Sequence, residues 1–230
     1  MLTEFGSEIT QVEKMDFGGE INPGIKPETD ITMDEAKEIY DSLFRPDNIE
    51  VLESKDLKLR DLTELEKLYI KEKINMSDKI SENCRINLET GNVRIKCIHE
   101  DLAGKRHEDT GVEYKEKVLE INGIKMEGVF PELRSIKDVQ LPENLWTASD
   151  HDQEKFCNEK LKDYIADNPE SKKEFTEKQY QMIENGRTPR GYTWHHAPER
   201  GKMQLVKTEV HSNTPHTGGK AIWGGGQDFR

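Results

Sequence analysis

The sequence predicts an α+β chain whose functional segment lies at its C-terminal end. Three observations carry this. Apolar residues recur at helical spacing behind capping residues in several places. Elsewhere they alternate around two turn signals, Glu89-Thr90-Gly91-Asn92 and Asn122-Gly123, as the strands of β-hairpins do. From Gly186 the texture changes, and glycines, prolines, tryptophans and histidines crowd together.

Taken in order, residues 1–30 hold Gly6, Gly18, Gly19, Pro23, Gly24 and Pro27 with no apolar period, and read as a flexible lead. Thr32 and Glu35 then form a capping box for a helix carrying Ala36, Ile39, Tyr40 and Leu43, which Pro46 ends. Within the charge-dense stretch 50–82, Leu62, Leu65, Leu68 and Tyr69 predict one helical packing face. Ile86 and Leu88, then Val93, Ile95 and Cys97, predict a hairpin over 85–98. Val118–Val129 predicts a second around its Asn-Gly turn. His99 and His107 flank a charged loop and read as solvated side chains. Residues 131–148, with Pro131 and Pro142, read as an irregular connection. Ser149 caps a helix to Asp167 that buries Phe156, Leu161 and Ile165, and Asn168-Pro169 stops it. Thr176 caps a further helix, closed by Asn185-Gly186.

Composition bounds the remaining readings. Of 230 residues, 35% are charged and only 33% hydrophobic, so a compact part with a solvated remainder is expected. No apolar run approaches the roughly 20 residues of a membrane span. The opening MLTEFGSEIT lacks a basic and an apolar region, so no signal peptide is expected. Three cysteines without a pairing pattern predict reduced structural thiols and a reducing cytoplasm. A net charge of −12 argues against contact with phosphates, but the average conceals a gradient. The last fifty residues carry seven basic and four acidic side chains, a balance of +3, which leaves −15 for the first 180.

Four of the seven histidines, His195, His196, His211 and His216, lie in that basic end. Tyr192-Thr193-Trp194 and Met203-Gln204-Leu205-Val206 predict a hairpin with the adjacent histidines at the end of its first strand. Thr208 is expected to cap a short helix through His211 that Pro215 ends. Adjacent histidines on a strand face opposite ways, so one can bind a metal while the other faces a substrate. A break at Pro215 lets His216 fold back toward His211. One hairpin histidine and these two can converge on one ion, leaving coordination positions open.

The ordered pattern Gly191-Tyr192-Thr193-Trp194-His195-His196, Gly201, Met203-Gln204-Leu205-Val206, His211, His216-Thr217-Gly218-Gly219 and Ile222-Trp223-Gly224-Gly225-Gly226 resembles the nuclease domains of colicin-like bacteriocins. More closely, it resembles the WHH branch of the HNH/endonuclease VII superfamily, found at the C-termini of bacterial polymorphic toxins. The resemblance covers about 175–226, and weakly reaches back to Gly123–Phe130. It implies a C-terminal ββα-metal (HNH-type) fold, preceded by the α+β region with its helices and hairpins. It divides the chain into the flexible lead 1–30, an acidic α+β region of unassigned role at 31–120, and a nuclease domain at 121–230 with its metal core at 186–226. It implies a metal-dependent endonuclease hydrolysing phosphodiester bonds, with DNA favoured and tRNA the other substrate, acting as a bacterial antagonistic toxin. On this resemblance His195, His211 and His216 are metal ligands for one divalent ion (zinc, nickel, manganese or magnesium), and His196 is the general base. Arg187, Arg190, Arg200 and Lys202 are candidate phosphate contacts. A cognate immunity protein is the implied partner beside nucleic acid. Expression in the cytoplasm and delivery to a target cell without a signal peptide follow from the same resemblance.

One departure stands out. Such enzymes usually carry an asparagine about nine positions before the last histidine to orient the base, and Lys202 occupies that region. Either Gln204 or a backbone carbonyl is expected to do the orienting instead, or the mechanism differs in detail. The departure also motivates the competing expectation, a non-catalytic metal-containing module that binds nucleic acid or a partner. A third is a housekeeping endonuclease. A closed structural zinc site would use cysteine to fill four positions, and this segment has none. Trp194 and Trp223 read as core anchors.

Overall fold

The structure is a computed structural model that describes residues 52–54 and 57–229. The flexible lead and the helix expected from Thr32 to Leu43 lie outside the described residues. The first strands are β1 (Leu52–Ser54) and β2 (Leu57–Asp61), followed by helix α1 (Glu64–Ile74) and the one-turn α2 (Asp78–Ser81). Thr63 caps α1 in a reciprocal capping box with Glu66. Here the expected apolar face is displaced. Glu66, Ile70 and Ile74 face inward, whereas Leu65 is 54% exposed. The reason is electrostatic: Arg60 grips the Glu66 carboxylate through two hydrogen bonds of 2.8 and 2.7 Å, which rotates the helix around that pair.

Next come β3 (Arg85–Asn87) and β4 (Val93–Arg94), the first expected hairpin, then β5 (Tyr114–Ile121) and β6 (Ile124–Pro131), the second. Asn122 and Gly123 both take positive φ, 50° and 78°, the requirement of a type I′ turn that suits a two-residue hairpin. These strands make one six-stranded sheet in the order β1-β2-β3-β4-β6-β5, antiparallel throughout except for the β4–β6 pair. The boundary expected at 120/121 falls inside β5, just before the Asn122-Gly123 turn, so this sheet continues across it.

The connection 131–148 is not wholly irregular. It contains β7 (Lys137–Gln140), which pairs with β9 (Lys202–Lys207), itself paired with β8 (Tyr192–His196), in an antiparallel sheet of order β7-β9-β8. Lys137-Asp138-Val139-Gln140 offers one buried apolar residue, Val139, too little for an alternation to show in the sequence. Helix α3 (Asp150–Asp167), capped by Ser149, buries Gln153, Cys157, Leu161 and Ile165. The capping box of Thr176 with Gln179 starts α4 (Glu177–Glu184). After β9 the chain forms α5 (Thr208–Ser212) and α6 (Gly219–Trp223). Thr208 is the first residue of α5, not its cap; Lys207 holds that place and no side chain caps the helix.

Both sheets share one hydrophobic core, in which Ile70, Ile74, Met126 and Phe130 of the first half join Leu161, Trp194, Met203, Leu205 and Trp223 of the second. All three cysteines are buried and unpaired, and burial pushes the Cys84 and Cys157 thiols up to about 12. No described helix is long and apolar enough to cross a membrane.

Candidate active site

α5 follows β9 directly and packs back against both β8 and β9, so a hairpin and a helix surround one cavity of about 520 Å³. Its walls include His195, His196, His211, His216, Thr214, Gly218 and Lys220. His195 points to the α5 side of the sheet. α5 stops at Ser212, before Pro215, and the chain turns back so that His216 faces His211 and His195. The three ring centroids lie 4.8–5.2 Å apart. One ring nitrogen from each lies within 4.8 Å of the other two. His195 Nδ1 and His216 Nε2 are 3.3 Å apart, close to the separation of about 3.4 Å that two nitrogens keep around one tetrahedral zinc.

The protonation states suit a metal. Burial, joined by the neighbouring imidazoles, pushes the His195 pKa well down. His211 falls to about 4, mainly by burial and then through His216. Burial lowers His216 as well. All three are therefore neutral near pH 7, with lone pairs to donate. His216 Nδ1 donates to the Thr214 carbonyl oxygen at 2.6 Å, which leaves Nε2 as the donor atom facing the cluster. Three imidazoles with no thiolate, in an open cavity, fit a divalent first-row ion that keeps positions free for substrate.

His196 leaves β8 on the opposite face, toward α3. Its Nε2 lies 2.7 Å from Gln153 Oε1. The Gln153 amide can face only one way. Its Nε2 donates to the Leu145 and Trp146 carbonyls at 2.6 and 3.0 Å, and Lys220 Nζ donates to its Oε1 at 3.0 Å. An amide oxygen only accepts, so His196 carries its proton on Nε2 and Nδ1 is left to take one up. Lys220, 4% exposed, also donates to the Ala148 carbonyl at 2.7 Å and lies 3.4 Å from Asp150 Oδ1. The same carboxylate oxygen is 4.0 Å from His196 Nε2. Trp223 packs against the His196 ring at 5.7 Å and donates Nε1–H to the Ala197 carbonyl at 3.0 Å. A Cβ at Gly219 would stand 1.8 Å from that carbonyl oxygen, so glycine is what lets α6 lie against the end of β8.

The model of the DNase/tRNase domain of colicin-like bacteriocins matches residues 122–218. Residues 122–218 form a colicin-like nuclease domain. No curated protein and no solved structure matches the chain. The β8–β9–α5 unit is the ββα-metal element of this nuclease domain, and the chain as a whole is α+β.

The nuclease domain does not bring every candidate residue to the cavity. Gln204 faces Asp138 on β7, to which its amide donates at 3.2 Å, and it makes no hydrogen bond to His196. It sits opposite His195 in the ladder, so its side chain shares the face of His195 and not that of His196. Gln153 makes the contact expected of it. Lys202 pairs with Asp138 at 3.2 Å. Arg200 stacks on Trp146 at 3.9 Å and donates to Asn122 Oδ1 at 2.6 Å. Arg187 and Arg190 are exposed at the start of β8, at the far end of that strand from the histidines. None of these four cations lines the cavity. Trp194 is a core residue, its Nε1 donating to Asn158 at 2.9 Å.

Sequence reading missed Gln153, Asp150 and Lys220. Gln153 carries a trace: with Cys157, Leu161 and Ile165 it completes the four-residue spacing of the buried stripe of α3, as its one polar member at that spacing. Lys220 carries a weaker one, a lone cation within Gly218-Gly219-Lys220-Ala221-Ile222-Trp223.

Proposed function

We propose that the protein is a metal-dependent endonuclease of the HNH type that hydrolyses phosphodiester bonds, with DNA ahead of tRNA as substrate, and that it acts as a bacterial antagonistic toxin. The observation that carries this reading is the convergence of His195, His211 and His216 beside a fourth histidine whose protonated nitrogen is fixed by Gln153. His195, His211 and His216 hold one divalent ion, whether zinc, nickel, manganese or magnesium. When bound, that ion stabilises negative charge on the scissile phosphate and on the leaving oxygen.

The chain's own residues do the rest. His196 accepts the proton of the attacking water at Nδ1. As its ring becomes cationic, the Nε2–H bond to Gln153 strengthens into a charge-assisted one. The Asp150 carboxylate, 4.0 Å from Nε2, favours the same cation, while Lys220 opposes it and pins the Gln153 oxygen in place. The amide of Gln153 thus supplies the orientation that Lys202 cannot, which removes the main motive for a non-catalytic binding module. Production in the cytoplasm, delivery to a target cell and a cognate immunity protein belong to the same reading, as what the resemblance to bacteriocin nucleases implies.

The test is cleavage of supercoiled plasmid and of bulk tRNA by the purified chain with each of the four metals, with EDTA, and with His196→Ala. Cutting of either substrate that both EDTA and the substitution abolish is the expected result. Retained nucleic-acid binding without cutting under any metal returns the binding module. Growth arrest on induction, relieved by a neighbouring gene, separates a toxin from a housekeeping enzyme.

A further inference from the structure

The loop that carries His216 is held from outside the matched nuclease span. Thr214, Pro215 and Thr217 each make a hydrogen bond to residues between 98 and 114. Thr214 Oγ1 and Thr110 Oγ1 share one of 3.0 Å. The Tyr114 hydroxyl donates to the Pro215 carbonyl oxygen. The Ile98 backbone N–H donates to Thr217 Oγ1 at 3.1 Å. Thr214 is completely buried, and its own carbonyl orients the His216 ring. Tyr114 is also completely buried, and the rings of His99 and His107 pack on it at 5.9 and 6.4 Å. His107 Nδ1 lies 3.3 Å from Thr110 Oγ1, so His107 touches both Tyr114 and Thr110.

These bonds bear on a ligand that no helix or strand holds, beside the bonds that tie Thr214 to Val210 and His211 within the nuclease span. α5 ends at Ser212, and His216 sits on irregular chain between α5 and α6. A ligand on such chain is placed by the groups bonded to it and to its neighbours; loss of a group bonded to the ligand itself typically costs metal affinity about 10–100-fold, and these bonds hold the chain that carries that group. His195, by contrast, sits in a strand ladder, and His211 on a helix.

We infer that Tyr114, Thr110 and the Ile98 backbone are positioning groups for the third metal ligand, so that the acidic front region is part of the metal centre. It holds the His216 loop from behind the cavity, and the nuclease unit extends upstream of residue 122 to at least Ile98. This inference rests on the reading of His195, His211 and His216 as the metal ligands.

The experiment titrates Co²⁺ into the full chain and follows the visible absorption of the ion, with no nucleic acid present. Wild type, Tyr114→Phe, Thr110→Val, Thr217→Val and His211→Ala are compared, and near-UV circular dichroism of the metal-free forms checks folding. We expect Tyr114→Phe and Thr217→Val to bind Co²⁺ about tenfold or more weakly, with altered band intensities, while their metal-free folds match wild type. Should Tyr114→Phe fail to fold, the two threonine variants, which keep the buried ring, decide the matter by the same measure. Affinities within threefold of wild type and unchanged bands in the folded variants overturn the inference while His211→Ala still abolishes binding. Undiminished binding by His211→Ala overturns the metal-centre reading itself, and this inference with it.

Discussion

Replacing Gln153 with leucine separates orientation of the base from the base itself. The substitution keeps the side-chain volume but removes the acceptor for His196 and Lys220 and the two donations to Leu145 and Trp146. A neutral hydrogen bond contributes about 1 kcal/mol and one to a charged group about 2.5 kcal/mol. The bond to His196 passes from the first kind to the second as the ring takes up its proton. The transition state therefore loses about 1.5 kcal/mol more than the ground state, a little over tenfold in kcat at about 1.4 kcal/mol per decade. Loss of ring orientation adds up to roughly another tenfold. Gln153→Leu should lower kcat about 10–100-fold with KM within about threefold, less than the roughly 10²–10⁴-fold expected of His196→Ala. It should also cost about 2–4 kcal/mol of stability through the unmet buried partners, so rates belong well below the melting temperature. Plasmid nicking under single-turnover conditions measures the effect, with the double variant closing the cycle. A folded Gln153→Leu enzyme within twofold of wild type refutes the argument. So does a full additional loss in the double variant, because without its base the Gln153 bond has nothing to orient.

Three further outcomes follow from the same geometry. Lys220→Met removes a buried ammonium and leaves Asp150 and Gln153 Oε1 short of a partner; urea unfolding should show a loss of about 3 kcal/mol, and a loss below about 1 kcal/mol would mean that the site hydrates freely. Gly219→Ala drives a methyl into the Ala197 carbonyl, so α6 must shift away from β8; we expect a loss of about 3 kcal/mol and weakened Trp223 packing, read by near-UV circular dichroism, and a wild-type spectrum would contradict the close approach. For the metal-free protein, the unfolded histidines take up protons at about pH 6.5, whereas folded His211 does so only near 4. The unfolded state thus binds more protons in that window, and stability falls as pH drops through it. Melting temperatures between pH 7.5 and 5 should decline more steeply for wild type than for His211→Ala; parallel slopes count against a buried neutral His211.

What the sequence determined by itself was local. The caps at Ser149 and Thr176, the stop at Asn168-Pro169 and the Asn122-Gly123 turn each depend on residues within a few positions, and each appears where those residues stand. The ordered histidine pattern was legible for the same reason, since the ββα unit occupies one short stretch of chain. Tertiary structure decided what depends on distant partners. It turned α1 around the Arg60–Glu66 pair, which no apolar spacing reveals. It recruited Lys137–Gln140 as a third strand through pairing with β9 rather than through its own composition. It moved the orienting contact of His196 from Gln204, eight positions along the hairpin, to Gln153, forty-three positions back on another element. It set Tyr114 against Pro215 across a separation of 101 residues. Hydrogen bonds between elements are specified by the packing of whole helices and sheets, so the polar residues that make them leave no period in the sequence.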